Sequence, residues 1–175
     1  MIERALGALS IVLLAGACGP SDMSRDEVDK NLFGRGGVLG GYEFGDSWDE
    51  IKKSPDEVYE VRDEAGFEQL RRKVSDNAGQ DGYFLGFGLE GGKVTSLHAS
   101  VNGTQQNAVT VRMLVDDAIA YFDAMIGNGH CSSSPDGNTH CDWREQPGKP
   151  RATLRYMTFD EPIKGSIDID VEPPE

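Results

Sequence analysis

The chain has 175 residues, a formal net charge of −13 and a pI near 4.6. That is enough chain for one ordinary domain, which can bury roughly two-thirds of its unfolded surface. The acidity excludes a phosphate-tracking footprint, because no basic patch is there to displace counterions, so nucleic-acid binding is not expected.

Residues 1–17 read as an export leader. A short charged start carries Arg4, residues 5–14 are apolar except for Gly7 and Ser10, and Ala15, Gly16 and Ala17 form a small-residue exit. This is the secretory-signal pattern, and the apolar run falls short of the ~20 residues that span a bilayer. Leu14-Ala15-Gly16-Ala17-Cys18 resembles the lipobox of bacterial lipoprotein precursors. The resemblance implies cleavage before Cys18, diacylation of its thiol and acylation of the new amino terminus. It places the mature protein in the cell envelope, outside the cytoplasm. Two or more acyl chains give stable anchoring where a single chain is marginal. Gly19, not Asp, follows the cysteine, which within that family leans toward the outer membrane of a Gram-negative cell.

Residues 18–41 read as a flexible tether. Asp22, Arg25, Asp26, Glu27, Asp29 and Lys30 make it polar, and its second half is glycine-rich, which raises the entropy cost of ordering. The glycine spacing does not match a phosphate loop. A single domain is expected over 42–175. Residues 42–44 could form a short strand. Ser47 with Glu50 forms a capping box, and the short helix after it, with Trp48 and Ile51 on one face, should stop before Pro55. Ser54-Pro55-Asp56-Glu57 resembles a second helix start. Residues 58–74 fit two patterns. Val58, Val61 and Ala65, then Phe67, Leu70 and Val74, have helical spacing. Tyr59 and Val61 also suit a strand ending at Ala65-Gly66. The helical pattern is preferred.

Two alternating runs, 83–90 and 93–101, flank Gly91-Gly92 and predict a β-hairpin. Pairing Glu90 with Lys93 puts Tyr83, Leu85, Phe87, Leu89 and Val94 on one face. It puts Phe84, Gly86, Gly88, Leu97, Ala99 and Val101 on the other. The aromatic face is core by default; if exposed, Tyr83, Leu85, Phe87 and Leu89 would be a partner-binding patch. Residues 109–126 form the strongest helix, with Val111, Leu114, Val115, Ala118, Phe122 and Met125 on one stripe and Gly127 as its stop. A loop follows over 131–141, then strands near 141–145, 151–159 and 165–171, the last with Ile167, Ile169 and Val171 alternating with polar residues. The class is α+β: an antiparallel sheet with helices on one face, and the element order suggests two similar halves.

Cys18 aside, Cys131 and Cys141 remain, and an even remainder in an exported protein reads as a disulfide. The adjacent pairs His130-Cys131 and His140-Cys141 could instead supply a tetrahedral zinc site, but zinc ligand pairs usually leave two or more residues between them. No metal and no cofactor are expected. His98 sits mid-strand without a nucleophile elbow anywhere in the chain. The carboxylates of Asp46, Asp49, Glu50, Asp56, Glu57, Asp63 and Glu64 read as caps and a solvated face. Asp136-Gly137-Asn138 lacks a calcium loop's ligand series.

Phe44-Gly45-Asp46-Ser47-Trp48-Asp49-Glu50-Ile51-Lys52 and Gly91-Gly92-Lys93-Val94 resemble segments of the SmpA-type outer-membrane-assembly lipoproteins and of the β-lactamase-inhibitory-protein fold. That resemblance implies helix-loop-helix units laid on antiparallel strands, and action by binding proteins. The expected function is therefore a membrane-anchored, non-catalytic protein-binding module: an inhibitor, an immunity-type protein or an assembly factor. A small-ligand-binding lipoprotein is the alternative, and an envelope hydrolase comes third.

Overall fold

The structure is a computed structural model that describes residues 23–53, 59–64, 67–72, 82–104, 107–144, 146–159 and 163–174, with the backbone alone for 59–64, 67–72 and 163. The leader, Cys18 and the helix start at Ser54-Pro55 lie outside the described residues. The first elements are helices α1 (Arg25–Leu32) and α2 (Trp48–Lys53). Strands β1 (Tyr59–Glu64), β2 (Phe67–Arg72), β3 (Gly82–Glu90) and β4 (Lys93–Thr104) follow. Helix α3 (Ala108–Met125) then leads to β5 (His130–Ser133), β6 (Thr139–Trp143), β7 (Arg151–Thr158) and β8 (Ile163–Glu172).

All eight strands join one antiparallel sheet in the order β1-β2-β3-β4-β8-β7-β6-β5. Each set of four is a meander preceded by helix, and the two meanders meet through their last strands. This is the expected α+β class, and the suggested halves take the form of a topological repeat.

The Gly91-Gly92 hairpin forms, with Glu90 opposite Lys93 and Leu89 opposite Val94. Its faces differ from the simple register. Between Leu89 and Gly88 the partner advances from Val94 to Ser96, so Thr95 is an extra residue on β4. Such a bulge moves every later side chain to the opposite face. Leu97, Ala99 and Val101 therefore stand opposite Phe87, Leu85 and Tyr83, on the same buried face. The Thr95 hydroxyl donates to the Gly88 carbonyl at 3.1 Å and pins the bulge.

That face continues across β8 (Ile167, Ile169, Val171), β7 (Ala152, Leu154, Tyr156) and β6 (Cys141, Trp143), all buried. Helix α3 covers it with Val111, Leu114, Val115, Ala118 and Phe122, the stripe its spacing predicts. Gly127, at φ 123°, follows as the stop.

Residues 23–41 are part of this core, which overturns the tether boundary. Val28, Leu32 and Leu39 are fully buried, and Met23 and Phe33 nearly so. Val28 and Leu32 are four apart, one turn of helix, so α1 does have an apolar stripe under its charges. It rests on α3. Arg25 Nε donates to Asp117 Oδ2 at 2.7 Å, its Nη2 reaches Asp117 Oδ1, and the Phe33 ring lies 5.1 Å from that of Tyr121. The glycines serve tight turns: Gly37 and Gly40 have φ of 69° and 64°, and a Cβ on Gly40 would lie 2.4 Å from Leu85. The Tyr121 hydroxyl closes this turn by donating to the Val38 carbonyl at 3.0 Å.

Three local readings also change. Residues 42–44 form no strand; Tyr42 makes only a bridge to Leu39. Residues 59–64 and 67–72 are a strand pair, because β3 offers a ladder that β2 completes, and tertiary pairing overrides helical spacing. The supposed loop 131–141 is the β5–β6 hairpin. Helix α2 forms as expected, with Trp48 and Ile51 buried. The Trp48 backbone N–H donates to the Gly92 carbonyl at 3.0 Å and fastens the helix to the hairpin tip.

Candidate functional site

The helices cover one face of the sheet, and alternation in each strand sends the remaining side chains to the other face. On β4, β8 and β7 these are His98 and Ser100, then Asp168, Asp170 and Glu172, then Arg151, Thr153 and Arg155. Phe84 of β3 and Asp142 of β6 flank them. The aromatic patch proposed for partner binding is not here. Tyr83, Leu85 and Phe87 are core, at 1%, 0% and 1% exposure, and Leu89 packs half-buried against them. They are covered because α1, α2 and the 37–42 turns lie on that face.

This second face, open in that no described helix covers it, is organised by polar pairs, most of them cross-strand. His98 and Asp170 are direct partners on β4 and β8, with Nδ1 and Oδ1 2.8 Å apart. Arg155 Nη2 donates to the other oxygen of Asp170 at 3.2 Å. Arg151 pairs with Glu172 across β7 and β8 at 3.0 Å, and Arg144 Nε with Asp142 at 2.6 Å. Arg155 stands opposite Asp168 in the register but turns to Asp170, so Asp168 has no ion pair among the described residues. The Phe84 ring lies 5.8 Å from the His98 ring, tilted by 41°.

His98 thus has a partner, as a mid-strand histidine should, but one 72 residues away. The hydrogen bond from His98, then the His98 charge and Arg155, hold the Asp170 carboxyl below its ordinary value of 3.8, against the opposing push of partial burial. A carboxyl whose pKa is depressed by folding stabilises the fold above its unfolded pKa, and that gain is lost as pH falls through the folded value. Asp170→Asn is therefore expected to cost about 0.5–1 kcal/mol at neutral pH, the range of a solvent-screened pair. The difference should vanish well below pH 3.8. Urea unfolding of both proteins at the two pH values measures it; an equal cost at both would mean the role is packing alone.

Cys131 and Cys141 are cross-strand partners on β5 and β6 and form the expected disulfide, with Cα atoms 4.1 Å apart. Their sulfurs are joined to each other, so a zinc site built from both histidines and both cysteines does not form. Among the described residues, no group of three or more His, Cys, Asp or Glu is placed to hold a metal ion. Of the acidic stretch, Asp46 accepts the Glu43 N–H at 2.9 Å and so closes the turn ahead of α2, and Asp49 pairs with Lys52 on a solvated face.

Two clefts border the open face. One of about 290 Å³ is lined by Arg144, Arg151, Thr153, Asp170 and Glu172. The other, about 360 Å³, lies between the end of α3 and β6, lined by Ile126, His130, Asp142, Trp143 and Gln146. Both are mainly polar and open, unlike the enclosed apolar pocket of a small-molecule site. No family model, curated protein or solved structure matches the chain.

Proposed function

We propose that this protein is a lipid-anchored, non-catalytic protein-binding module of the bacterial cell envelope, held through acylated Cys18. Its working surface is the open face of the sheet. One observation carries the reading: a broad sheet face whose charged groups are already positioned by cross-strand pairing. Preorganised side chains lose little entropy on binding, and complementary charge sets register and specificity. Phe84 beside His98, and Arg155, are the residue kinds that anchor interfaces. Asp168 and the formal net charge of −13 favour a partner with a cationic surface. Among the described residues the helix–sheet core is filled, with Leu85, Ala99, Val115 and Ile169 all at or near zero exposure, which favours a surface over a core cavity as the working site.

The test is site-directed photocrosslinking in intact cells with the full, native chain. A photoreactive residue at Phe84 or Met157, on the open face, should capture one protein in stoichiometric yield, and one at Ala124, on the exposed side of α3, should not. Arg155→Glu should abolish the capture. No captured protein from either open-face position, under conditions that trap other envelope complexes, would overturn the reading.

A further inference from the structure

We propose that one end of the domain is a membrane seat. The first two turns of α3 and the exit of β7 rest on the lipid bilayer, with Val109, Met113 and Phe159 in its interfacial layer. This rests on the reading of Cys18 as the lipid anchor.

The chain enters the described fold at Met23, which is buried, and its N–H donates to Asn107 Oδ1 at 3.3 Å, just ahead of α3. Only five residue steps separate Cys18 from Met23. Fully extended, they reach ~17 Å. A tether running to residue 41 would let the domain turn freely above the membrane. With α1 folded into the core, the α3 end stays within that short reach of the acyl chains.

The same end carries the exposed apolar surface. Val109 is 70% exposed and Met113 42%, four residues apart on one side of α3, and Phe159, directly after β7, is 44% exposed. They are the exposed large hydrophobic side chains among the described residues. The topology brings them to one end. β4 and β7 both run antiparallel to β8, so they point the same way. The end of β4 (Thr104) pairs with Ile163, and the end of β7 (Thr158) pairs with Gly165, two residues along β8. Asn107, and so Met23, lies just beyond the end of β4. The Gly91-Gly92 tip is at the other end of β4, twelve residues away.

An acidic protein gains nothing from anionic headgroups over most of its surface, so the seat depends on apolar contact. Interfacial binding of this kind grows with the apolar area buried. Arg112 stands beside the patch with its guanidinium 5.5 Å from the Tyr156 ring, and Lys164 follows at the start of β8. Asp116, within 3.7 Å of Arg112, and Asp136, whose carbonyl accepts the Thr158 hydroxyl, are acidic groups at or near this end. With this end down, the strands rise from the membrane. Twelve residues of β4 put the hairpin tip about 40 Å away, and the open face looks sideways toward a partner.

The test uses the full chain made in a bacterial envelope, with whatever modification Cys18 there receives, mixed with vesicles of phosphatidylethanolamine and phosphatidylglycerol carrying a fraction of brominated acyl chains. Dansylalanine replaces Val109, Phe159 or, at the far end, Glu90. Quenching several-fold stronger at 109 and 159 than at 90 is the expected result. Weak, equal quenching at all three, in protein that still floats with the vesicles, overturns the seat and leaves the anchor standing. Blue-shifted but unquenched emission at 109 and 159 also overturns it, and marks a second protein chain on the patch. Failure to float, with Cys18 unmodified by mass spectrometry, overturns the anchor and with it the seat.

Discussion

A chain starting at Tyr42 is expected not to fold, while one starting at Met23 keeps a cooperative domain. The segment between them buries Met23, Val28, Leu32, Phe33 and Leu39. Part of that burial is offset by the conformational entropy the segment would otherwise lose. What it covers has no such offset. Removing it uncovers Tyr83, Leu85 and Phe122, now at 1%, 0% and 0% exposure. At about 1.5–3 kcal/mol for each fully buried side chain, that is roughly 5–9 kcal/mol, comparable with the ~5–15 kcal/mol total stability of a domain. The cut also removes Asn31, whose side-chain amide donates to the Tyr83 hydroxyl at 2.7 Å inside the core, and Arg25, the partner of Asp117. Thermal unfolding followed by circular dichroism decides it. A cooperative transition within a few degrees of the longer chain's would restore the tether boundary at residue 41.

The residues themselves disguise that boundary. The segment's charges and glycines dominate its composition. The signal against a tether is sparse: Val28 and Leu32 one turn apart, and Leu39 among glycines whose positive φ belongs to turns. The β3–β4 hairpin was legible because Gly-Gly between alternating runs is a local turn code. The facing of its strands was not, because the Thr95 bulge has no glycine to mark it and reverses every residue after it. The helix over 109–126 and the strand at 165–171 were legible from their apolar periods, which tertiary packing then used unchanged. Residues 59–72 were ambiguous because Phe67 and Leu70, three apart, have helical spacing while Tyr59 and Val61, two apart, suit a strand, and only the ladder that β3 supplies decides between them. The disulfide followed from counting cysteines. The open face could not be read in advance. His98, Arg155 and Asp170 meet only because β4 and β7 both pair with β8, and that pairing joins residues 72 and 15 positions apart.

Trp143→Ala is expected to cost about 3–5 kcal/mol, the upper range for truncating a buried aromatic. Trp143 is 2% exposed, and its ring lies 5.3 Å from Phe122, so it helps pack β6 under α3. Its indole N–H donates to Asp123 Oδ1 at 2.8 Å, and the same oxygen accepts the Gly129 N–H at 2.9 Å. One carboxylate thus ties the last turn of α3 to the chain that enters β5 and to β6. The fit is close: a Cβ on Gly129 would stand 2.4 Å from the indole. Alanine would leave a cavity that two strands and a helix cannot all close at once. Trp143→Phe keeps most of the volume but removes the indole donor, so its cost should be nearer the ~1.5–3 kcal/mol of a hydrogen bond to a charged group. Urea unfolding followed by far-ultraviolet circular dichroism ranks the two, since one of the two tryptophan reporters is itself removed. A smaller loss for alanine than for phenylalanine would refute the packing account. Asp142, the neighbour of Trp143, faces the open side, where it holds Arg144. Loosening β6 under α3 should therefore weaken partner capture from the open face even where the rest of the domain stays folded.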